Sequence, residues 1–280
     1  MAKAIMVQGT ASGVGKTVLT LALCRIFKED GYRVCPFKPQ NMTSNTCFTG
    51  SGHEIAISQW LQAQAAGVIP DSYMSPVVLK PSLQGAQAIV NGKSFAEVNL
   101  YDPGQLRKKL LPAIMDAYSR ASAEHDIVVI EGAGSPVELN LNQDDIVNMG
   151  MAKIASSPVI LVSDIDRGGV FASLYGTVNL LTKAERAYVK AVIVNRFRGE
   201  ASLFKDGVAI LENITGLPVA GVVPYTDFDL PEEDSLSEKS SPHESVAAGA
   251  DFENQFNIIA DVVRKALDMK LICKILNEGI

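Results

Sequence analysis

Apolar and polar positions follow two alternating regimes along this chain. Short uninterrupted apolar runs recur at Ala4–Val7, Asp126–Glu131 (DIVVIE), Val159–Ser163 (VILVS), Val189–Val194 and Val219–Val223. Such runs read as strands buried on both faces, as in parallel sheets. Between them apolar residues return at helical spacing over Lys16–Asp30, Pro103–Ala121, Ile146–Ala155, Val170–Leu181 and Leu203–Ile214. Gly31 and Gly216 sit where C-terminal glycines close helices. The alternation predicts an α/β fold with a mostly parallel sheet and helices on both faces.

Arg33–Phe37 reads as the second strand, Lys38–Gly52 as a polar loop, and His53–Ala66 as a helix closed by Gly67. Residues 71–100 hold a short strand-like segment, AQAIVNG, among turns and read as an insertion. From Thr226 to Gly249 the chain is rich in Asp, Glu, Ser and Pro, the composition of a flexible acidic linker. Helical spacing resumes over Asp251–Leu276 and predicts one terminal helix, or a helix with a short successor, docked back on the domain. The expected plan is a domain over 1–225, a linker over 226–250 and a tail over 251–280.

The first strand and first helix flank QGTASGVGKT. A strand, a Gly-rich turn and a helix opening on Lys-Thr make a phosphate-binding loop. Gly9, Gly13 and Gly15 let the backbone curl close to a polyphosphate, and the helix start adds free N–H groups and the positive dipole end. The backbone of Gly13, Val14 and Gly15 would cradle phosphate, Lys16 would reach the β- and γ-phosphates of ATP, and the Thr17 hydroxyl would bind Mg²⁺. The loop is a variant, because Thr10 stands where the strict pattern has its first glycine.

Composition narrows the class. With 47% hydrophobic residues the chain can bury a substantial core, and a net charge of −6 argues against a nucleic-acid surface. No apolar run reaches the length of a membrane span, and the N-terminus enters a strand without a leader pattern, so a cytoplasmic protein with no membrane partner is expected. Cys24, Cys35, Cys47 and Cys273 show no paired spacing and read as free thiols.

Further candidates follow the strands. Glu131 ends a buried strand, where open α/β sheets place ligands, and suits Mg²⁺ better than the cap or salt bridge a glutamate could also make there. Glu54, placed in a first helical turn, offers a second acidic contact or an ordinary capping residue. Lys38 follows the second strand and could neutralise a transferring phosphoryl group or simply face solvent. Asn195 carries a donor and an acceptor that suit an adenine edge, or a turn. Asp164, Asp166 and Arg167 form an acceptor-side loop or a plain strand–helix connection.

QGTASGVGKT, PFKPQNM, GHEIAISQWLQAQAAG, SPVVLKP, EGAGSPVELNL, DIVNMGMA, VILVSDIDRGGVFASLYGT, VNRFRGE and TGLPVAGVVPY run in order from Gln8 to Tyr225. Together they resemble the N-terminal synthetase domain of the cobyric acid synthase family, within a wider group of P-loop NTPase folds that includes dethiobiotin synthetase and MinD. The resemblance implies an ATP- and Mg²⁺-dependent ligase that amidates carboxylates of a corrinoid substrate, taking adenosylcobyrinic acid a,c-diamide to cobyric acid through acyl phosphates. It implies catalytic roles for Lys16, Lys38 and Glu131, metal contacts from Thr17, Glu54 and Glu131, and adenine reading by Asn195. Full-length members carry a glutaminase domain with a Cys/His/Glu triad, and no such set is visible here. Ammonia from solution or a separate glutaminase subunit is therefore expected, together with a homodimer. The segment from Phe252 to Leu276 resembles the C-terminal tail of those longer enzymes. Two alternatives stand beside this reading: a dethiobiotin-synthetase-like ligase, and a MinD/ParA-like ATPase switch, whose signature loop lysine is replaced here by Ala11.

Overall fold

The computed structural model describes residues 2–82, 85–98, 103–140, 145–228, 230 and 252–280. Its centre is a six-stranded sheet formed by β1 (Lys3–Gly9), β2 (Val34–Phe37), β9 (Ile127–Glu131), β10 (Val159–Asp164), β11 (Val189–Phe197) and β12 (Val219–Pro224). The order is β12-β11-β10-β1-β9-β2, and every pairing is parallel. Because strand side chains alternate, β1 turns Ala4 and Met6 into one core and Ile5 and Val7 into the other. One face is covered by α3 (Pro103–Glu124), α4 (Met149–Ala155), α5 (Val170–Leu180) and α7 (Lys205–Thr215), and the other by α1 (Lys16–Glu29) and α2 (Ile57–Ala66). A single turn, α6 (Lys183–Arg186), is set by a capping box between Thr182 and Glu185. Among the described residues no helix is long and apolar enough to cross a membrane.

Two expectations need correction. Glu54 does not open a helix: Glu54–Ala56 is β5, an antiparallel partner of β4 (Thr46–Phe48), and α2 starts at Ile57. Cross-strand pairing overrides the helical pattern of three residues. Residues 71–100 hold more than one strand. β6 (Val77–Ser82), β7 (Gly85–Val90) and β8 (Lys93–Val98) form an antiparallel sheet, extended by β3 (Asn41–Met42), which pairs parallel to β6. The polar loop expected at Lys38–Gly52 therefore contains β3 and β4.

Most of the expected linker 226–250 lies outside the described residues. The tail is two helices, α8 (Glu253–Ala266) and α9 (Met269–Glu278). Phe256, Ile259 and Val263 of α8 and Ile272 and Ile275 of α9 are buried in the same core as Leu19, Leu23 and Ile26 of α1. Arg25 holds Glu253 at 2.8 Å and Arg264 holds Asp30 at 2.9 Å across this contact. The helical run breaks at Leu267 because its backbone bridges to Gly221 of β12, where a Cβ would lie 2.3 Å from the Ala266 carbonyl oxygen. Asp268 then caps α9 by accepting from the Leu271 N–H at 3.0 Å.

Candidate functional site

The phosphate loop leaves the C-terminal end of β1, between β9 and β10. Gly13 and Gly15 adopt the left-handed region, with φ of 71° and 96°. The loop is held from both sides: the Thr10 N–H donates to the Val162 carbonyl at 2.9 Å, and the Thr10 and Ser163 hydroxyls lie 2.9 Å apart. Asn195, at the end of β11, donates its Nδ2 to the Val14 carbonyl at 2.8 Å. That contact braces the loop, an arrangement the sequence did not foretell. The buried Lys16 ammonium spans the cradle, donating to the carbonyls of Ala11 at 2.9 Å and Gly134 at 3.2 Å.

One carboxylate joins the predicted residues. The register that pairs Val7 with Glu131 puts Glu131 beside the first turn of α1. Its Oε1 accepts from the Thr17 hydroxyl at 2.8 Å and from the Lys38 ammonium at 2.9 Å. Its Oε2 accepts from Gln62 Nε2 at 2.6 Å, and Gln62 also reaches the Thr17 carbonyl at 3.3 Å. Glu131 is 0% exposed and Lys38 4%. A buried ion pair is tolerable only with its remaining lone pairs satisfied, and here both carboxylate oxygens are engaged. An oxygen set of a carboxylate and a hydroxyl in contact at a phosphate loop fits Mg²⁺, a hard cation that takes few protein ligands and completes its shell with phosphate and water.

Glu54 is placed in a different cluster. It accepts from the Thr46 hydroxyl at 2.5 Å and pairs with Lys80 of β6. On the β10–β11 side, Asp164 pairs with Arg196 at 3.0 Å, and Asp166 pairs with Arg198, whose guanidinium stacks 3.6 Å from the Tyr225 ring centre. The Arg198 hydrogen bonds hold the Asp166 carboxyl below the usual range. Arg196 makes its pair with Asp164 from a left-handed backbone, with φ 60°. Arg167 extends toward the loop, its Nη2 3.8 Å from where a Cβ on Gly13 would stand. A cleft of about 590 Å³ opens at the insertion, lined by Ser51, His53, Asn91, Lys93 and Arg120 of α3.

Gln62 was not anticipated. Gln59 and Gln62 stand three apart on α2 and are fully buried. Two glutamines sharing the inner face of an apolar helix were the available signal.

Residues 5–237 match the family model described as the CobQ/CobB/MinD/ParA nucleotide binding domain. A cobyric acid synthase from Lachnoclostridium phytofermentans is 51% identical over 244 residues, which is 85% of this chain and 48% of that protein. One from Ruminiclostridium cellulolyticum is 52% identical over 242 residues, 86% of this chain and 47% of that protein. The chain thus spans about half the length of these curated relatives. Among solved structures, a ParA family ATPase from Chlorobium tepidum superposes with a TM-score of 0.46 at 11% identity, over 81% of this chain and 84% of that one.

Proposed function

From the premise that this chain belongs to the CobQ/CobB/MinD/ParA nucleotide-binding family, we propose that it is an ATP-dependent amidating ligase acting on corrin side-chain carboxylates. The observation that carries the reading is the convergence of Thr17, Lys38 and Glu131 at the phosphate loop. Amidation of a carboxylate needs charge neutralisation and positioning more than a protein nucleophile. The acceptor carboxylate oxygen attacks the γ-phosphorus of ATP and the bond to the β-phosphate oxygen breaks, leaving an acyl phosphate and ADP. Ammonia then attacks the acyl carbon, phosphate leaves, and a proton is lost to solvent.

We assign each role to a residue described above. Lys16 would leave its two carbonyls for the β- and γ-phosphates. Thr17 and Glu131 would hold Mg²⁺, which when bound neutralises phosphate charge. Lys38 would share the charge of the group in transfer. Glu54 is proposed as the second acidic contact, which requires Thr46 and Lys80 to yield it. Asn195, with Nδ2 engaged on Val14, would offer adenine its remaining polar groups. Cobyric acid, which the relatives' names carry, is the proposed product, and adenosylcobyrinic acid a,c-diamide the proposed acceptor. Ammonia from solution or from a separate glutaminase is the proposed nitrogen source, and a cytoplasmic homodimer the proposed working form.

The test is ATP turnover with that acceptor and ammonium chloride, or glutamine, while product mass is followed. Stepwise replacement of –OH by –NH₂ with ammonium is expected. A folded protein that binds ATP, yet neither amidates nor hydrolyses ATP faster with the corrinoid, would sink the ligase reading and favour a nucleotide switch.

A further inference from the structure

Behind Glu131 a chain of buried side-chain amides runs to the antiparallel insertion. Gln62 Nε2 donates to Glu131 Oε2 at 2.6 Å, and Gln59 Nε2 donates to Gln62 Oε1 at 3.4 Å. Gln59 Oε1 accepts from Asn41 Nδ2 and from the Ser58 hydroxyl, each at 3.1 Å, and Asn41 Nδ2 also reaches the Ser58 oxygen at 3.1 Å. Asn41 and Ser58 are 3% exposed; Gln59 and Gln62 are not exposed at all. Asn41 belongs to β3, whose partner is β6 of the insertion, and the adjoining Thr43 N–H donates to the Leu79 carbonyl of that strand.

The chain has a direction. An ionised carboxylate only accepts hydrogen bonds, so Gln62 must turn its NH₂ toward Glu131. Its carbonyl oxygen then faces Gln59 and demands an NH₂ there. The Gln59 oxygen, in turn, demands a donor from Asn41 or Ser58. Reversing any one amide would oppose oxygen to oxygen or donor to donor inside a core, where an unmet polar group is costly. Apolar side chains of similar volume on α2 would fill this space without such a constraint.

We propose that Gln62, Gln59 and Asn41 are positioning residues that form a one-way amide relay, fixing the orientation of the Glu131 carboxylate and tying it to the β3 edge of the insertion. The inference rests on the proposed metal role of Glu131. Its consequence is that a change at Asn41 is felt at the metal contact.

The experiment measures binding of a fluorescent ATP analogue to the full chain, with and without Mg²⁺, alongside the melting temperature. Gln62→Met should weaken the Mg²⁺-dependent part of binding about tenfold to hundredfold, the usual effect of removing a partner that orients a metal ligand. Binding without Mg²⁺ should stay at the wild-type level. Gln59→Met and Asn41→Ala should move the same quantity in the same direction by less. The pair Gln59→Met/Gln62→Met should be no weaker than Gln62→Met alone, because the relay is already cut. A merely structural role would lower stability and metal-free binding together and leave their ratio to Mg²⁺-dependent binding unchanged. If Gln62→Met does not fold, the two distal variants decide. Wild-type metal dependence in both, while Glu131→Gln loses it, overturns the relay but not the metal reading. Intact metal dependence in Glu131→Gln overturns both.

Discussion

Asn195 Nδ2 lies 2.8 Å from the carbonyl oxygen of Val14, and it occupies the space a Cβ on Gly15 would need, at 2.1 Å from that position. The loop is thus shaped by a side chain 181 residues distant. Gly15→Ala meets two penalties at once: a left-handed backbone at about 1–2 kcal/mol, and displacement of the brace. Titration calorimetry should show ATP affinity lower by at least about tenfold, which 1.4 kcal/mol suffices to produce. Asn195→Ala should be milder, losing about 1 kcal/mol with the hydrogen bond. Wild-type affinity in Gly15→Ala would mean that Asn195 swings aside freely and braces nothing.

The Lys38–Glu131 pair should behave asymmetrically in denaturant unfolding. Glu131→Ala leaves a buried ammonium without its carboxylate and should cost about 3–5 kcal/mol. Adding Lys38→Met should restore part of that loss, since it also removes the ammonium whose charge Glu131 neutralises. A double variant no more stable than Glu131→Ala would show that the loss does not come from the Lys38 charge.

Acid should loosen a different contact. Arg33 hydrogen bonds hold the Asp126 carboxyl at about 2, below its unfolded value of about 3.8. A depressed carboxylate stabilises the fold above the unfolded value, and that contribution fades as pH falls toward the folded one. Titration of Asp126 by NMR should therefore show a midpoint near about 2, rising toward the ordinary carboxylate range in Arg33→Ala.

Thiol labelling reports on the β4–β5 pair. Burial, then the Glu54 charge, pushes the Cys47 thiol up to about 12, so it stays protonated at neutral pH. Alkylation should be slow at neutral pH and climb only in strong base. Glu54→Gln should speed labelling by removing the neighbouring negative charge. Identical rates in the two proteins would mean that Glu54 carries no charge felt at Cys47.

The last two helices should be indispensable to the core. Phe256 is 2% exposed among α1 residues, and Phe256→Ala should cost about 3–5 kcal/mol in urea unfolding. A loss below about 1 kcal/mol, the range of surface substitutions, would mean that α8 is only loosely applied.

Much of the fold was legible because buried parallel strands announce themselves as apolar runs, and a strand, Gly-rich turn and Lys-Thr helix start fix one another. Parallel strands also gather their C-terminal ends, so Glu131 could be read as facing the ligand crevice, while its contact with Thr17 depends on β9 lying next to β1. Glu54 was misplaced because three residues cannot show a period, and only pairing with Thr46–Phe48 makes them a strand. Gln59 and Gln62 were passed over because glutamine is an ordinary helix residue until burial reveals what it must satisfy. Asn195 was read for its ligand chemistry, while its contact with Val14 depends on how β11 lies against the loop. The Thr182–Glu185 capping box had a readable spacing and was overlooked between two stronger elements.

The attachment of the last helices has a consequence for chain length. Leu230 and Phe252 pack against the same hydrophobic cluster. Leu230 and Phe252 are thus moored to one body. Closing a longer excursion between fixed moorings costs only logarithmically more, about 0.6 kcal/mol per doubling. Residues added between Leu230 and Phe252 would therefore start and end on the same body, and the sheet and its phosphate loop need not change to accept them. A small folded domain spliced between Leu230 and Phe252 should leave nucleotide affinity unchanged. A collapse of that affinity would show that the two moorings depend on the span between them.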